Sequence, residues 1–308
     1  MAIAKKLREP LFCIGVGARG IGKTYQTERR IKQITKGYPA IGLKPRKVLI
    51  VDVNNEYKDF RPIGGDEKSI KSFVAQEQIE CRRIVPFANG KTKNRADLIA
   101  DLNNVLSYFY NGTIVLEDLT LIVGDATSIE LVGSLATIRH RDVDVYTHFQ
   151  SIGKFAHPKF KSLKNLLRLH KTHDSCNRST VKGNLDDDFP IIRIAEIMVD
   201  KRYDIGMDVI YKYEKSGIGE GNKNYDNYNN NYKRFYVIID FDNQKVSGIF
   251  TKKEFEDACV QYLQEESNME LNPLIKFRDA KTGKALYTFQ TALQQRLKEY
   301  MRYYGNEK

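Results

Sequence analysis

Gly17-Ala18-Arg19-Gly20-Ile21-Gly22-Lys23-Thr24 matches G-x-x-x-x-G-K-[ST] at every required position. Glycines without a Cβ let successive backbone N–H groups curl around a phosphate, and a helix starting there adds the positive end of its dipole. Lys23 is placed to reach the outer phosphates and the Thr24 hydroxyl to ligate Mg2+, with Tyr25 next along the helix. Residues 17 to 25 therefore read as a binding loop for a nucleoside triphosphate, taken as ATP with Mg2+. A second constellation decides the fate of the bound triphosphate. The run Thr113-Ile-Val-Leu ends in Glu117-Asp118. One carboxylate there would hold Mg2+ through water, and the other would orient or activate an attacking water. The pair together argues hydrolysis rather than passive binding.

Those residues need a scaffold that brings strand ends together. Leu11 to Gly15 reads as a buried strand and Tyr25 to Ile34 as an amphipathic helix. Lys47-Val-Leu-Ile-Val-Asp52 is a continuous apolar run, as a parallel strand covered on both faces requires. It runs into Asp52-Val-Asn-Asn-Glu56-Tyr57, putting acids at the sheet edge where ligands of open α/β sheets gather. Cys81 to Phe87 reads as an edge strand, because Pro86 cannot donate to a ladder. Helical spacing follows over Arg95 to Tyr110, stopped by Asn111-Gly112, and again over Thr127 to His140. Val143 to Gln150 is a strand with a polar tip, and Leu166 to His170 a further one. Strands alternating with helices at this spacing predict a doubly wound, mostly parallel sheet.

From Met207 the pattern changes. Met207 to Tyr213 and Phe235 to Phe241 read as a strand pair, joined by an Asn/Gly/Tyr-rich stretch, 217–232, expected to be mobile or looped. Thr251-Lys-Lys-Glu254 fits a capping box, and a last helix covers roughly Leu286 to Tyr304. The expected division is a P-loop ATPase core, 1–206, and a smaller α+β extension, 207–308.

A formal charge of +11 and a pI near 9.3 point to a polyanionic partner, nucleic acid first. Lys154, Lys159, Lys161 and Lys164, in a proline-marked stretch, are candidates to grip phosphates, though a solvated loop explains them equally well. No apolar run is long enough to cross a membrane, and the first residues lack the apolar centre of a signal peptide, so a soluble intracellular chain is expected. The four cysteines are scattered and suit free thiols in a reduced compartment. His170, His173 and Cys176 share a three-residue spacing but lack an evident fourth ligand, so zinc is not expected.

Taken together, GARGIGKT, VLIVDVNNEY, IVLEDL and LATIRHRDVDVYTHFQS resemble the FtsK/HerA superfamily of P-loop motor ATPases. Within it the chain is most similar to viral genome-packaging ATPases, with Zot-like phage assembly ATPases as the near relative. The resemblance spans roughly Leu11 to Lys171. It implies a RecA-like (ASCE) sheet in which the sensor strand lies between the P-loop strand and the acidic strand, with Gln150 as the sensor. It also implies an arginine, Arg139 or Arg141 with Arg139 the first choice, reaching the nucleotide of a neighbouring subunit. The family's usual acidic order is Asp then Glu, whereas this chain has Glu117 then Asp118. Either Glu117 is the Mg2+ partner and Asp118 the base, or the register slips by one; Glu56 is a further candidate to position water. The implied activity is ATP-driven translocation of double-stranded DNA by a homomeric ring, docking on a portal or capsid protein in the host cytoplasm. Two other readings stand beside it: a Zot-like virion-extrusion ATPase, and a monomeric NTP-dependent switch that binds protein. The Zot-like class normally carries a membrane-spanning segment, which this sequence lacks.

Overall fold

In the computed structural model, residues 10–37, 44–88, 90–118, 133–135, 137–155, 165–177, 187–269, 281–284 and 289–305 are described. The chain forms two compact units, Met1–Gln150 with His157–Leu166, and Ser151–Ala156 with Leu167–Lys308.

The first unit begins with β1 (Phe12–Val16), α1 (Lys23–Lys36) and β2 (Lys47–Val51). It continues through β3 (Arg61–Ile63), α2 (Glu67–Ala75), β4 (Cys81–Ile84) and a small antiparallel ribbon, β5 (Phe87–Ala88) with β6 (Lys91–Thr92). Then come α3 (Arg95–Tyr108), β7 (Gly112–Leu116), a 3-10 turn (Ile138–Arg141) and β8 (Val143–Phe149). The strands order β3-β4-β2-β7-β8-β1, every pair parallel. All residues of β1, β2, β7 and β8 are buried, which is why β1, β2 and β7 lack a polar alternation; β8 keeps Asp144 and His148 although both are buried. Ile31 and Ile34 of α1 pack with Cys13, Val48, Val115 and Tyr146 on one side of that sheet. Asp66 caps α2, and a reciprocal Asn94–Asp97 box caps α3, so both helices start where a side chain takes up an otherwise orphaned N–H.

The expected edge strand is corrected. Cys81–Ile84 lies between β2 and β3, and the edge is β3, where Pro62 sits. A short strand containing proline is a physically sensible edge, since one missing donor costs nothing on its outer side. The helix expected over Thr127 to His140 lies largely outside the described residues.

The second unit holds α4 (Ile152–Phe155), all but the first residue of β9 (Leu166–Leu169), α5 (Phe189–Lys215), α6 (Lys223–Asn231), β10 (Val237–Asp240), β11 (Lys245–Gly248), α7 (Lys252–Met269) and α8 (Phe289–Met301). β10 and β11 pair antiparallel. Arg193 of α5 grips Glu265 of α7 through two nitrogens, 2.9 and 3.0 Å, and Arg202 reaches Glu254 at 2.7 Å. The Thr251–Glu254 capping box is present in both directions, at 3.2 and 2.7 Å.

Two expectations fail here. Met207 to Tyr213 lies within the last part of α5 and is not a strand, and β10 pairs antiparallel with β11 instead. The expected loop 217–232 contains α6, whose N-cap Asn222 accepts from the N–H groups of Asn224 and Tyr225. The 206/207 boundary thus falls inside a helix. Gly206 is needed there because a Cβ would stand 2.2 Å from Cβ of Tyr232. Among the described residues no helix is long and apolar enough to cross a membrane. Nor does any group of three His, Cys, Asp or Glu among them suit a metal ion, and all four cysteines are buried and free.

Candidate nucleotide site at the carboxyl edge of the sheet

The phosphate loop leaves β1 at Val16 and is tied to β8 by the Gly17 N–H, which donates to the Phe149 carbonyl at 3.1 Å. Gly20 and Gly22 have φ of 78° and 89°, the left-handed region that glycine enters without strain. Gly22 is the N-cap of α1 and offers no side-chain acceptor, so no capping side chain covers the start of the helix. Lys23 is buried and bends back over the loop, its Nζ donating to the Gly17 carbonyl at 2.6 Å and the Ala18 carbonyl at 2.7 Å. Ala18 and Ile21 are buried, Arg19 and Gly20 exposed. Tyr25 is half-buried, with the Arg29 guanidinium 5.9 Å from its ring centre. An open N-terminus and a lysine together make a concentrated positive cradle for an anion.

Side-chain oxygens lie beside it, joined pairwise by hydrogen bonds. The Thr24 hydroxyl donates to Glu56 Oε2 at 2.7 Å. Glu56 is held there by Asp52, fully buried at the end of β2, whose carboxylate accepts from the N–H groups of Glu56 (2.9 Å) and Tyr57 (3.1 Å) and from Arg83 (2.9 Å). Tyr57 in turn donates its hydroxyl to Glu117 Oε2 at 2.7 Å. The same oxygen lies 2.8 Å from His148 Nδ1, and His148 Nε2 lies 2.9 Å from the Thr27 hydroxyl. Burial pushes the Glu117 pKa up, but His148, the Tyr57 hydroxyl and the Lys23 charge outweigh it and hold the carboxyl below its ordinary range. The balance favours the charged form of Glu117, although it is only 4 % exposed. Asp118, at a left-handed φ of 44°, turns its Oδ2 to the Gln150 amide, which donates at 2.8 Å.

The fold thus gathers Lys23, Thr24, Glu56, Glu117, Asp118 and Gln150 at one sheet edge, and β8 lies between β1 and β7 as a RecA-like α/β sheet requires. Thr24, Glu56, Glu117 and Asp118 offer oxygen atoms there, the chemistry that suits a hard cation such as Mg2+. Arg141 is elsewhere. It precedes β8, at the opposite edge, and donates to the carbonyls of Leu106 (2.7 Å) and Ser107 at the end of α3. Asp142 and Asp144 pair with Arg46, at 3.1 and 3.7 Å. Arg139 has its backbone in the same 3-10 turn, and its side chain lies outside the described residues, as do those of Lys154, Lys159, Lys161 and Lys164.

Sequence reasoning missed His148, Thr27 and the parts played by Tyr57 and Asp52. A usable signal existed for His148: it stands two residues before Gln150, on the same face of an extended strand.

No family model and no curated protein matches this chain. Solved structures similar to it include the genome packaging NTPase B204 of Sulfolobus turreted icosahedral virus 2 in complex with AMP. It is 12 % identical with a TM-score of 0.47, over 79 % of this chain and 98 % of that one. The N-terminal domain of zonular occludens toxin from Neisseria meningitidis is 15 % identical with a TM-score of 0.32, over 54 % of this chain and 79 % of that one. The Legionella pneumophila ATPase DotB is 14 % identical with a TM-score of 0.30, over 54 % of this chain and 42 % of that one.

Proposed function

We propose that this chain is an ATPase that drives double-stranded DNA, as a homomeric ring, in the packaging of a viral genome. One observation carries the ATPase reading: a phosphate loop, a hydroxyl and three carboxylates meet at the carboxyl edge of adjacent parallel strands, with Gln150 joined to one of the acids. Lys23 balances charge on the outer phosphates. Thr24 and Glu117 would hold Mg2+, which when bound would supply charge stabilisation to the transferring phosphoryl group. Asp118, oriented by the Gln150 amide, positions the attacking water, and Glu56 steadies Thr24 from the other side. Arg139 of one subunit serves the nucleotide of the next.

The DNA reading is supported by the +11 charge and by the motifs shared with genome-packaging motors. A moving grip contacts phosphates rather than bases, so binding is indifferent to sequence and weakens steeply with salt. A portal or capsid protein is the docking partner, in the cytoplasm of the host.

The test is the ATP hydrolysis rate of the full chain with and without duplex DNA, alongside the mass of the assembly. Stimulation by duplexes of unrelated sequence, in a particle several chains in mass, is the expected result. A monomer whose hydrolysis ignores DNA overturns the motor and leaves an NTP-dependent switch.

A further inference from the structure

The hydrogen bonds around Glu117 close into a circuit. Thr24 on α1 donates to Glu56, and the next residue, Tyr57, donates to Glu117 Oε2. His148 on β8 touches the same oxygen through Nδ1 and returns to α1 through Nε2 and Thr27, one turn beyond Thr24. Four elements, α1, the segment after β2, the end of β7 and β8, are joined through side chains that meet at a single carboxylate. An ionised Glu117 only accepts, so Nδ1 is the donor of that pair, and Nε2 either donates to the Thr27 hydroxyl or accepts from it.

Two features set this contact apart from ordinary core packing. His148 is 2 % exposed in a strand whose every residue is buried, a position an apolar side chain would fill at less cost. Both hydrogen bonds to Glu117 among the described residues fall on Oε2. Two donors on one oxygen fix the plane of the carboxylate and leave Oε1 to a ligand. Residues that hold a metal-binding carboxylate in this way tune affinity without touching the metal.

We propose that His148 is a positioning residue: it sets the orientation in which Glu117 receives a divalent cation and couples that carboxylate to the phosphate-loop helix through Thr27. The inference rests on the reading of this edge as a Mg2+–nucleotide site. Glu117 is thereby the cation's carboxylate. Water positioning is left to Asp118 with Gln150. The departure from the usual acidic order is then one of residue type and not of register.

The test is a Mg2+ titration of the binding of a fluorescent ATP analogue to the full chain, with binding in EDTA measured alongside. His148→Asn keeps a donor where Nδ1 stands, whereas His148→Gln places its amide at the Nε2 position and His148→Leu keeps neither. The Leu and Gln variants are expected to need about 10–100-fold more Mg2+ for half-saturation. The Asn variant is expected to stay close to wild type, and nucleotide binding in EDTA to stay the same in all. Should the Leu variant fail to fold, the Asn and Gln pair decides alone. Equal Mg2+ requirements for Asn and Gln overturn the role of His148. Failure of the underlying site reads differently: wild-type protein would then bind the nucleotide with no dependence on Mg2+ or on Lys23.

Discussion

At the amino edge of the first unit's sheet, Lys47 opens β2 and donates to the carbonyls of Phe73, Val74 and Gln76 at the end of α2. Arg141 does the same for Leu106 and Ser107 at the end of α3. At the carboxyl edge Lys23 also donates to two main-chain carbonyls, those of Gly17 and Ala18. The contacts are alike in chemistry, yet their surroundings have opposite sign. In a parallel α/β sheet the crossover helices present their C-termini to the amino edge, where a cation completes the negative end of the dipole permanently. They present their N-termini to the carboxyl edge, where a cation adds to positive charge and the sum awaits an anion. Lys47 and Arg141 are satisfied by the fold; Lys23 is parked on its own loop.

Breaking the acids at the carboxyl edge has the largest expected effect. Glu117→Gln combined with Asp118→Asn should stop turnover while ATP still binds, because the phosphate loop keeps its contacts. Retained phosphate release in that double variant would remove the acids from the chemistry. Arg139 comes next. Arg139→Ala should bind ATP but hydrolyse it poorly, and mixing it with Lys23→Ala protein should restore part of the rate, since some interfaces then pair an intact loop with an intact arginine. No recovery in demonstrably mixed assemblies would rule out a shared site.

At the amino edge the effect should be on stability instead. Lys47→Met leaves three carbonyls without their donor and should cost about 1–3 kcal/mol in chemical denaturation, with hydrolysis per folded molecule unchanged. A loss of rate without loss of stability would erase the distinction between the edges.

The smallest effect concerns two buried glutamates whose shifts oppose each other. Glu117 titrates below its ordinary value, so the stability it contributes is complete above the unfolded-chain pKa of about 4.3 and is lost as pH falls through its own lower value. Glu196 in the second unit is raised, by burial first, against the Cys176 N–H and Arg193 that lower it. Its contribution is complete below the unfolded-chain pKa and is lost as pH rises through the folded one. Unfolding midpoints across the acid range should therefore change with opposite slope in Glu117→Gln and Glu196→Gln. Slopes of the same sign would contradict the assignment.

Legibility in the sequence followed the same physics. β1, β2 and β7 are almost wholly apolar runs, as a doubly covered parallel strand requires, whereas β8 carries Asp144, Thr147 and His148 among its apolar residues. The phosphate loop is fixed by backbone needs that only its glycines meet. His148 is visible as a polar residue of β8, but its role was hidden because the Glu117 and Thr27 it meets lie 31 and 121 residues away in sequence. In the second unit, Val209, Ile210, Tyr211 and Tyr213 suggested a strand by propensity, yet Gly206 and buried Ile210 stand four residues apart on α5. Propensity gave way to that packing. The Asn- and Tyr-rich stretch is helical because Asn222 caps it and Tyr228 stacks on Tyr232 at 4.3 Å, contacts that composition does not reveal.

If the carboxyl edge hydrolyses ATP, Lys23 serves the nucleotide and not the fold. Phosphate release by wild-type and Lys23→Ala protein, with thermal unfolding of both, separates these roles in one comparison. Release by the wild type, none above background from Lys23→Ala, and closely matched unfolding temperatures are expected. A Lys23→Ala protein that releases phosphate at the wild-type rate would refute hydrolysis at this edge.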